Sequence, residues 1–166
     1  MDLVKAIDKV FLFRILGEEG DAWKIAFQTD AETDESRDYD SEPTKDGVVK
    51  SAGAYEASHS LSSFLAQGDE YINQIKELVR HANGKLEVWE IDRSNLDEET
   101  IPGEYSVDVV TSVSSSAGPE GNVEISIETE VEGAIVSGDV NVDERLRAIL
   151  RQINAEREFV QPMTTE

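Results

Sequence analysis

Residues 45–92 read KDGVVKSAGAYEASHSLSSFLAQGDEYINQIKELVRHANGKLEVWEID. Three kinds of local order follow one another here. From Gly47 the composition is small and polar, and residues 48–51 and 54–63 predict two short strands joined at Ala52-Gly53, with Tyr55, Ala57, His59 and Leu61 on one face. Ser58, Ser60, Ser62 and Ser63 lack the G-x-S-x-G surroundings of an activated nucleophile, so they read as a solvent-facing edge. His59, on the more apolar face, reads as a structural histidine. A helix over 69–82 comes next, capped by Asp69, which accepts from otherwise orphaned N–H groups of the first turn. Ile72, Ile75, Val79 and Ala82 form one stripe, with Leu78 widening it. Asn83-Gly84 supplies a left-handed stop, and Arg80 and His81 sit where the helix dipole favours positive charge. The segment 86–92 is strand-like, with Trp89 and Ile91 on one face and Leu86 and Val88 on the other. One amphipathic helix therefore lies on a sheet.

Upstream, residues 9–16 form a short apolar run in which Phe11, Phe13 and Ile15 alternate with Val10, Leu12 and Leu16, a strand with both faces covered. Residues 22–29 predict a second strand, with Trp23, Ile25, Phe27 and Thr29 on its covered side. Residues 30–43 carry seven acids and one Arg and read as a solvated loop. Their alternate carboxylates, Asp30, Glu32 and Asp34 first, are weak candidates for calcium. The calcium-loop pattern needs Gly at its sixth place and Glu at its twelfth, and counting from Asp30 those hold Glu35 and Ser41. No metal site is expected.

Downstream, residues 105–113 and 122–131 alternate cleanly and predict an antiparallel pair joined by a loop at 114–121. Tyr105, Val107, Val109, Thr111 and Val113 share one face; Val123, Ile125, Ile127, Thr129 and Val131 share another, against Asn122, Glu124, Ser126, Glu128 and Glu130. A last strand falls near 134–142. Residues 143–158 predict a second helix with Asn141 and Glu144 as a capping box and Leu146, Ile149, Leu150 and Ile153 at helical spacing. The expected scaffold core is Trp23, Phe27, Ile72, Ile75, Val79, Trp89, Ile125 and Ile127.

The 166 residues suit one domain with an arm, and 39% hydrophobic content is enough for a core. A net charge of −21 argues against a nucleic-acid-binding surface, which needs clustered Lys and Arg to displace counterions. There is no cysteine, and two histidines leave little for zinc. The N-terminal residues lack a secretory pattern, and no apolar run reaches the ~18 residues of a membrane span. No nucleophile–base pair can be assembled, so an enzyme is the least favoured class and no cofactor is expected.

With these elements in order, the chain resembles the major tail protein, or tail tube protein, of bacteriophages with long non-contractile tails. The resemblance is carried by Phe27-Gln28-Thr29, by Thr44-Lys45-Asp46-Gly47, and by Gly53, Tyr55-Glu56 and Ser58. It continues in residues 86–92 and in Gly121-Asn122-Val123-Glu124, and covers about residues 5–142. It implies a mainly β fold, a sandwich or barrel with one flanking helix, here at 69–82; the long hairpin arm at about 30–64 is read from its length and charge, and the C-terminal helix at about 143–158 lies beyond the part that resembles the family. The tube-like domain would be 1–142, with 143–166 a helical extension. It further implies hexameric rings stacked into a tube in the virion tail, assembled in the host bacterial cytoplasm, with a tape measure and a tail terminator as partners. DNA would pass through without specific binding. On that view Asp108, Glu124, Glu128 and Glu130 are expected to face the lumen, and Asp46, Gly47, Val48, Val49, Tyr55 and Leu61 to form the assembly arm. A neck or terminator protein, a secretion-system tube protein, or a non-catalytic β-sandwich binding module would share these strands.

Overall fold

A computed structural model describes residues 3–5, 8–25, 28–66, 69–82, 84–119 and 121–151. Six strands form one antiparallel sheet in the order β1-β4-β5-β6-β3-β2. They are β1 (Lys9–Ile15), β2 (Gln28–Thr44), β3 (Gly47–Phe64), β4 (Leu86–Asp92), β5 (Thr100–Ser116) and β6 (Glu124–Asn141), with helices α1 (Glu70–Arg80) and α2 (Glu144–Arg151). The chain is mainly β, as its alternation patterns predict.

β1 and β4 are apolar on both sides, and both sides are covered. Phe11, Phe13, Leu86 and Val88 belong to one core with Trp23, Ile25, Leu61, Val110, Ile125, Ile127 and the α1 residues Ile72 and Ile75. Val10, Leu12 and Ile91 belong to another with Ile101 and Leu150, against which Trp89, Leu146 and Ile149 of partial burial pack. α1 thus lies on the inner face and α2 on the outer one. Asp69 caps α1 by accepting from the Tyr71 N–H at 3.1 Å. Asp143, rather than the expected Asn141, caps α2, accepting from the Leu146 N–H at 2.8 Å.

The sheet rolls until its two outermost strands meet. Gln28 opens β2, and its side-chain amide joins the free edge of β1: the Phe11 N–H donates to Oε1 at 3.1 Å, and Nε2 donates to the Phe11 carbonyl at 2.9 Å. One glutamine side chain reproduces a ladder rung and satisfies two edge groups that would otherwise lack partners. Thr33 donates across the same seam to Glu90.

Several predicted elements are redrawn. Residues 22–29 are not one strand: Trp23 makes a single bridge to Phe13, with N–H···O distances of 2.8 Å in both directions. The acidic run 30–43 is strand, not loop, because it pairs along β3 from Asp30↔Ser62 to Pro43↔Val48. The segments 48–51 and 54–63 are one strand, and the turn lies at Lys45-Asp46, between paired Thr44 and Gly47. Likewise 122–131 and 134–142 join as β6, with an irregularity at Gly133, whose φ is 81°.

The inward face of β5 is the reverse of that expected. Ser106, Asp108 and Val110 are buried, while Val109 is 42% exposed. A register shift between Val110 and Ser112 puts one extra residue on β5, so Val113 returns to the core side. In α1, Val79 is 42% exposed and Leu78 packs on the core instead, so Val79 is no core residue. At Gly84 an added Cβ would stand 2.5 Å from Leu78 Cδ2, so a larger residue there would require the Leu78 side chain to shift. Phe27, Asn83, Ile153 and most of the predicted helix beyond 151 lie outside the described residues.

Gln28→Ala removes the seam rung and strands two backbone groups of Phe11. We expect it to lower unfolding stability by about 1–3 kcal/mol, seen as a lower urea midpoint with unchanged slope. An unchanged midpoint would refute the seam's role.

Candidate assembly arm and acidic face

The β2–β3 hairpin has a base that belongs to the sheet and a tip that does not. Ser58 to Phe64 pair with β6, and Ala57, His59, Leu61 and Ser63 point into the core at 8, 6, 2 and 2% exposure. Leu61, expected on the assembly arm, is therefore a core residue. Further out the two strands pair only with each other, and residues 39–50 are all exposed. Val48 is 66% and Val49 53% exposed; Tyr55 is half-buried.

The hairpin is ordered by its own chemistry. Thr44 Oγ1 donates to the Gly47 carbonyl at 2.6 Å and accepts from the Asp46 N–H at 3.3 Å. Gly47 takes φ 127°, which favours glycine. Midway, a register shift falls between Arg37 and Tyr39, and a Cβ on Gly53 would stand 2.8 Å from the Asp38 carbonyl oxygen. A clasp flanks this bulge. Arg37 donates to the Gly53 carbonyl at 2.9 Å and lies 5.7 Å from the Tyr55 ring centroid, while Tyr55 donates to Glu35 at 2.7 Å.

The outward face of the base carries acids in rows. Asp30 lies beside Ser62 and Ser126; Glu32 beside Ser60 and Glu128; Asp34 beside Ser58 and Glu130. The serines of β3 stand between two files of carboxylates. At roughly 4.8 Å per strand the files are about 10 Å apart, near the Debye length. Like charges directly opposite one another would destabilise the sheet. Glu124, Glu128 and Glu130 are exposed. Asp30, Glu32 and Asp34 stand singly along one strand, and no three Asp, Glu, His or Cys side chains group for a metal among the described residues.

Asp108 does not belong to this face. It is 0% exposed and accepts from Ser106 Oγ at 2.6 Å and Thr129 Oγ1 at 2.5 Å, with His59 Nδ1 at 2.6 Å. Phe11 packs edge-on against the His59 ring, centroids 5.3 Å apart. A buried carboxylate persists only when its oxygens are satisfied, and this one is. The expected lumen residue is the centre of a core network whose members, His59 and Thr129, are brought to it only by strand pairing.

A second network braces the opposite face. Arg14 meets Glu87 with two bonds, Nε to Oε2 at 2.6 Å and Nη2 to Oε1 at 3.2 Å, and lies 5.1 Å from the Trp89 ring centroid. Tyr105 donates to Glu87 at 2.8 Å. The Arg14 hydrogen bond holds the Glu87 carboxyl below its usual range, and burial, then Glu87, push the Tyr105 hydroxyl up to about 12. Lys24 is less fortunate. It is 8% exposed, its Nζ has no hydrogen-bond partner among the described residues, and burial, then the charge of Arg93, bring its pKa down to about 8.

A model of the phage tail tube protein family matches residues 4–137. The chain belongs to the phage tail tube protein family. The tail tube protein gp17.1* of Bacillus phage SPP1 is 27% identical over 117 residues, which are 70% of this chain and 44% of that one. The chain spans under half the length of the curated relatives it matches. Among solved structures the SPP1 tail tube superposes with a TM-score of 0.79 at 20% identity, over 99% of this chain and 95% of that chain. The tail of an empty gene transfer agent particle, described with C6 symmetry, reaches 0.62 at 15% identity, over 81% and 98%. At those identities the superpositions establish the shared fold. Tail tube proteins are structural virion components, and no helix among the described residues is long and apolar enough to cross a membrane.

Two substitutions test the buried polar groups. Asp108→Ala leaves three former partners without an acceptor and should cost about 3–5 kcal/mol by denaturant titration. Lys24→Met should stabilise by about 1–3 kcal/mol. Because the folded state binds the Lys24 proton less tightly than the unfolded chain, the native protein gains stability as pH rises from about 8 towards the ordinary 10.5. That gain should be absent in Lys24→Met. Parallel pH profiles for the two proteins would contradict the assignment.

Proposed function

We infer that this chain builds the tube of a phage tail as hexameric rings stacked end to end, with the tip of the hairpin, between Arg37 and Tyr55, reaching a neighbouring copy and the acid–serine face turned towards the channel. The observation that carries this is the hairpin tip: pre-ordered by Thr44 and by the Arg37–Tyr55–Glu35 clasp, yet almost wholly exposed. An ordered strand pair that buries nothing on its own domain has its partner elsewhere. Family membership supports the tube, and the C6 symmetry of a structural relative supports six copies. Contacts running from one subunit to the next close a ring and so consume the edges that would drive open-ended aggregation. The tape measure and a tail terminator are the companions such a tube requires.

The charge supplies a mechanism. A ring of six would carry six times the −21 of one chain. Phosphates within a Debye length, ~8 Å at physiological salt, are repelled by a carboxylate-lined wall, so DNA slides without sticking.

Electron microscopy of concentrated protein should show stacked rings with an open channel, and added salt should promote them by screening repulsion between copies. Tube formation indifferent to salt would argue against the electrostatic part. Replacing Glu124, Glu128 and Glu130 together with Lys should slow DNA delivery by assembled particles while leaving the tube intact; unchanged delivery would sink the channel assignment.

A further inference from the structure

The outer face of the sheet holds an apolar slot of about 180 Å³ between β1, β4, β6 and α2, lined by Leu12, Trp89, Ile91, Val140, Leu146 and Ile149. A dry cavity of about 150 Å³ accepts a benzene-sized group, so the slot suits one or two apolar side chains. Asp21 and Asp143 stand at its rim with Arg145, which bonds Asp21 at 3.0 Å and lies 3.6 Å from Asp143. The rim carries two acids against one base.

The hairpin tip has a face of matching character. Side chains alternate along a strand and register partners share a side. Tyr39 pairs with Ala52, Ser41 with Lys50 and Pro43 with Val48, so these six residues lie on one face. Asp40 and Glu42, paired with Ser51 and Val49, lie on the other. The tip therefore separates an apolar, Lys50-bearing side from an acidic side. Tyr39 and Val48 are 59% and 66% exposed, among the most exposed large hydrophobics of the described residues. The Thr44 turn holds the tip in shape, which limits the ordering entropy lost on docking.

We propose that the Pro43–Val48 pair, on the Tyr39 side of the tip of one copy, seats in the Trp89–Ile91–Val140–Leu146 slot of a second copy, with Lys50 meeting the Asp21–Asp143 rim. This rests on the tube assembly argued above and names the two surfaces that join. α2 then has two tasks: its apolar stripe covers the outer core, and its exposed N-terminal turn forms one wall of the socket.

The absence of native cysteine makes the pairing directly testable. Val48→Cys and Ala22→Cys chains, the latter altered in the slot lining, are mixed under assembling conditions, oxidised, and inspected by gel and electron microscopy. A mixed disulfide dimer is expected. Val49→Cys, on the acidic side of the tip, should yield at least about tenfold less with Ala22→Cys, the scale of one well-buried anchor. Equal linking from both tip positions would overturn the facing assignment. Tubes without the Val48–Ala22 link would overturn the socket and leave the tube standing, whereas neither tubes nor links would overturn both. An Ala22→Cys, Phe159→Cys chain that links internally within tubes would show the chain's own C-terminal segment in the slot, and would also refute the proposal.

Discussion

Strands β1 and β4 carry apolar side chains on both faces, and a sheet built on them must be covered twice. Phe11, Phe13, Leu86 and Val88 demand one cover, and Val10, Leu12 and Ile91 another. α1 answers the first and α2 the second. This requirement places the helices on opposite sides of one sheet and explains why the strands around it curl. The inner core closes when β2 reaches β1, and the Gln28 amide finishes that closure without a seventh strand. The roll is thus sealed by a side chain where a closed barrel would use backbone.

Away from β1 and β4 the balance shifts from burial to satisfaction. Asp108 is tolerated in the core because Ser106, Thr129 and His59 surround its oxygens. Lys24 has no such company, and its ammonium is the clearest energetic liability among the described residues. On the outward face the acids are tolerated for a different reason. They are interleaved with serines, so repulsion acts across solvent and salt, not across one strand spacing.

Much of this was legible in the residues. The two-faced alternation of β1 and β4, the Asp69 cap and the apolar positions Ile72 and Ile75 follow from period and capping chemistry alone. The acidic strand β2 was not legible, because Asp30 to Glu42 offer no apolar period and few strand-favouring side chains. Its conformation is imposed by β3, rung by rung, which is a tertiary fact. The inward face of β5 was missed for a different reason: a period of two does not say which face is covered, the valine face turns outward here, and Asp108 ends up where a valine was expected. Of the candidate site, the arm was visible as an over-long polar segment, whereas its tip lay seven residues from the expected turn. The serine–carboxylate rows depend on cross-strand pairing and could not be seen in one dimension.

The bulge at Asp38 and Gly53 has a consequence for how such an arm can change over time. Beyond it, every residue's side is set by parity. An insertion of one residue on either strand would carry Tyr39 or Val48 to the side now held by Asp40 and Glu42, exchanging oil for charge in a single step. Lengthening is neutral only when it comes two residues per strand, in increments of about 7 Å. Arm length in this protein is therefore quantised. A variant with a longer reach has to arrive as a matched four-residue extension or shift the bulge itself.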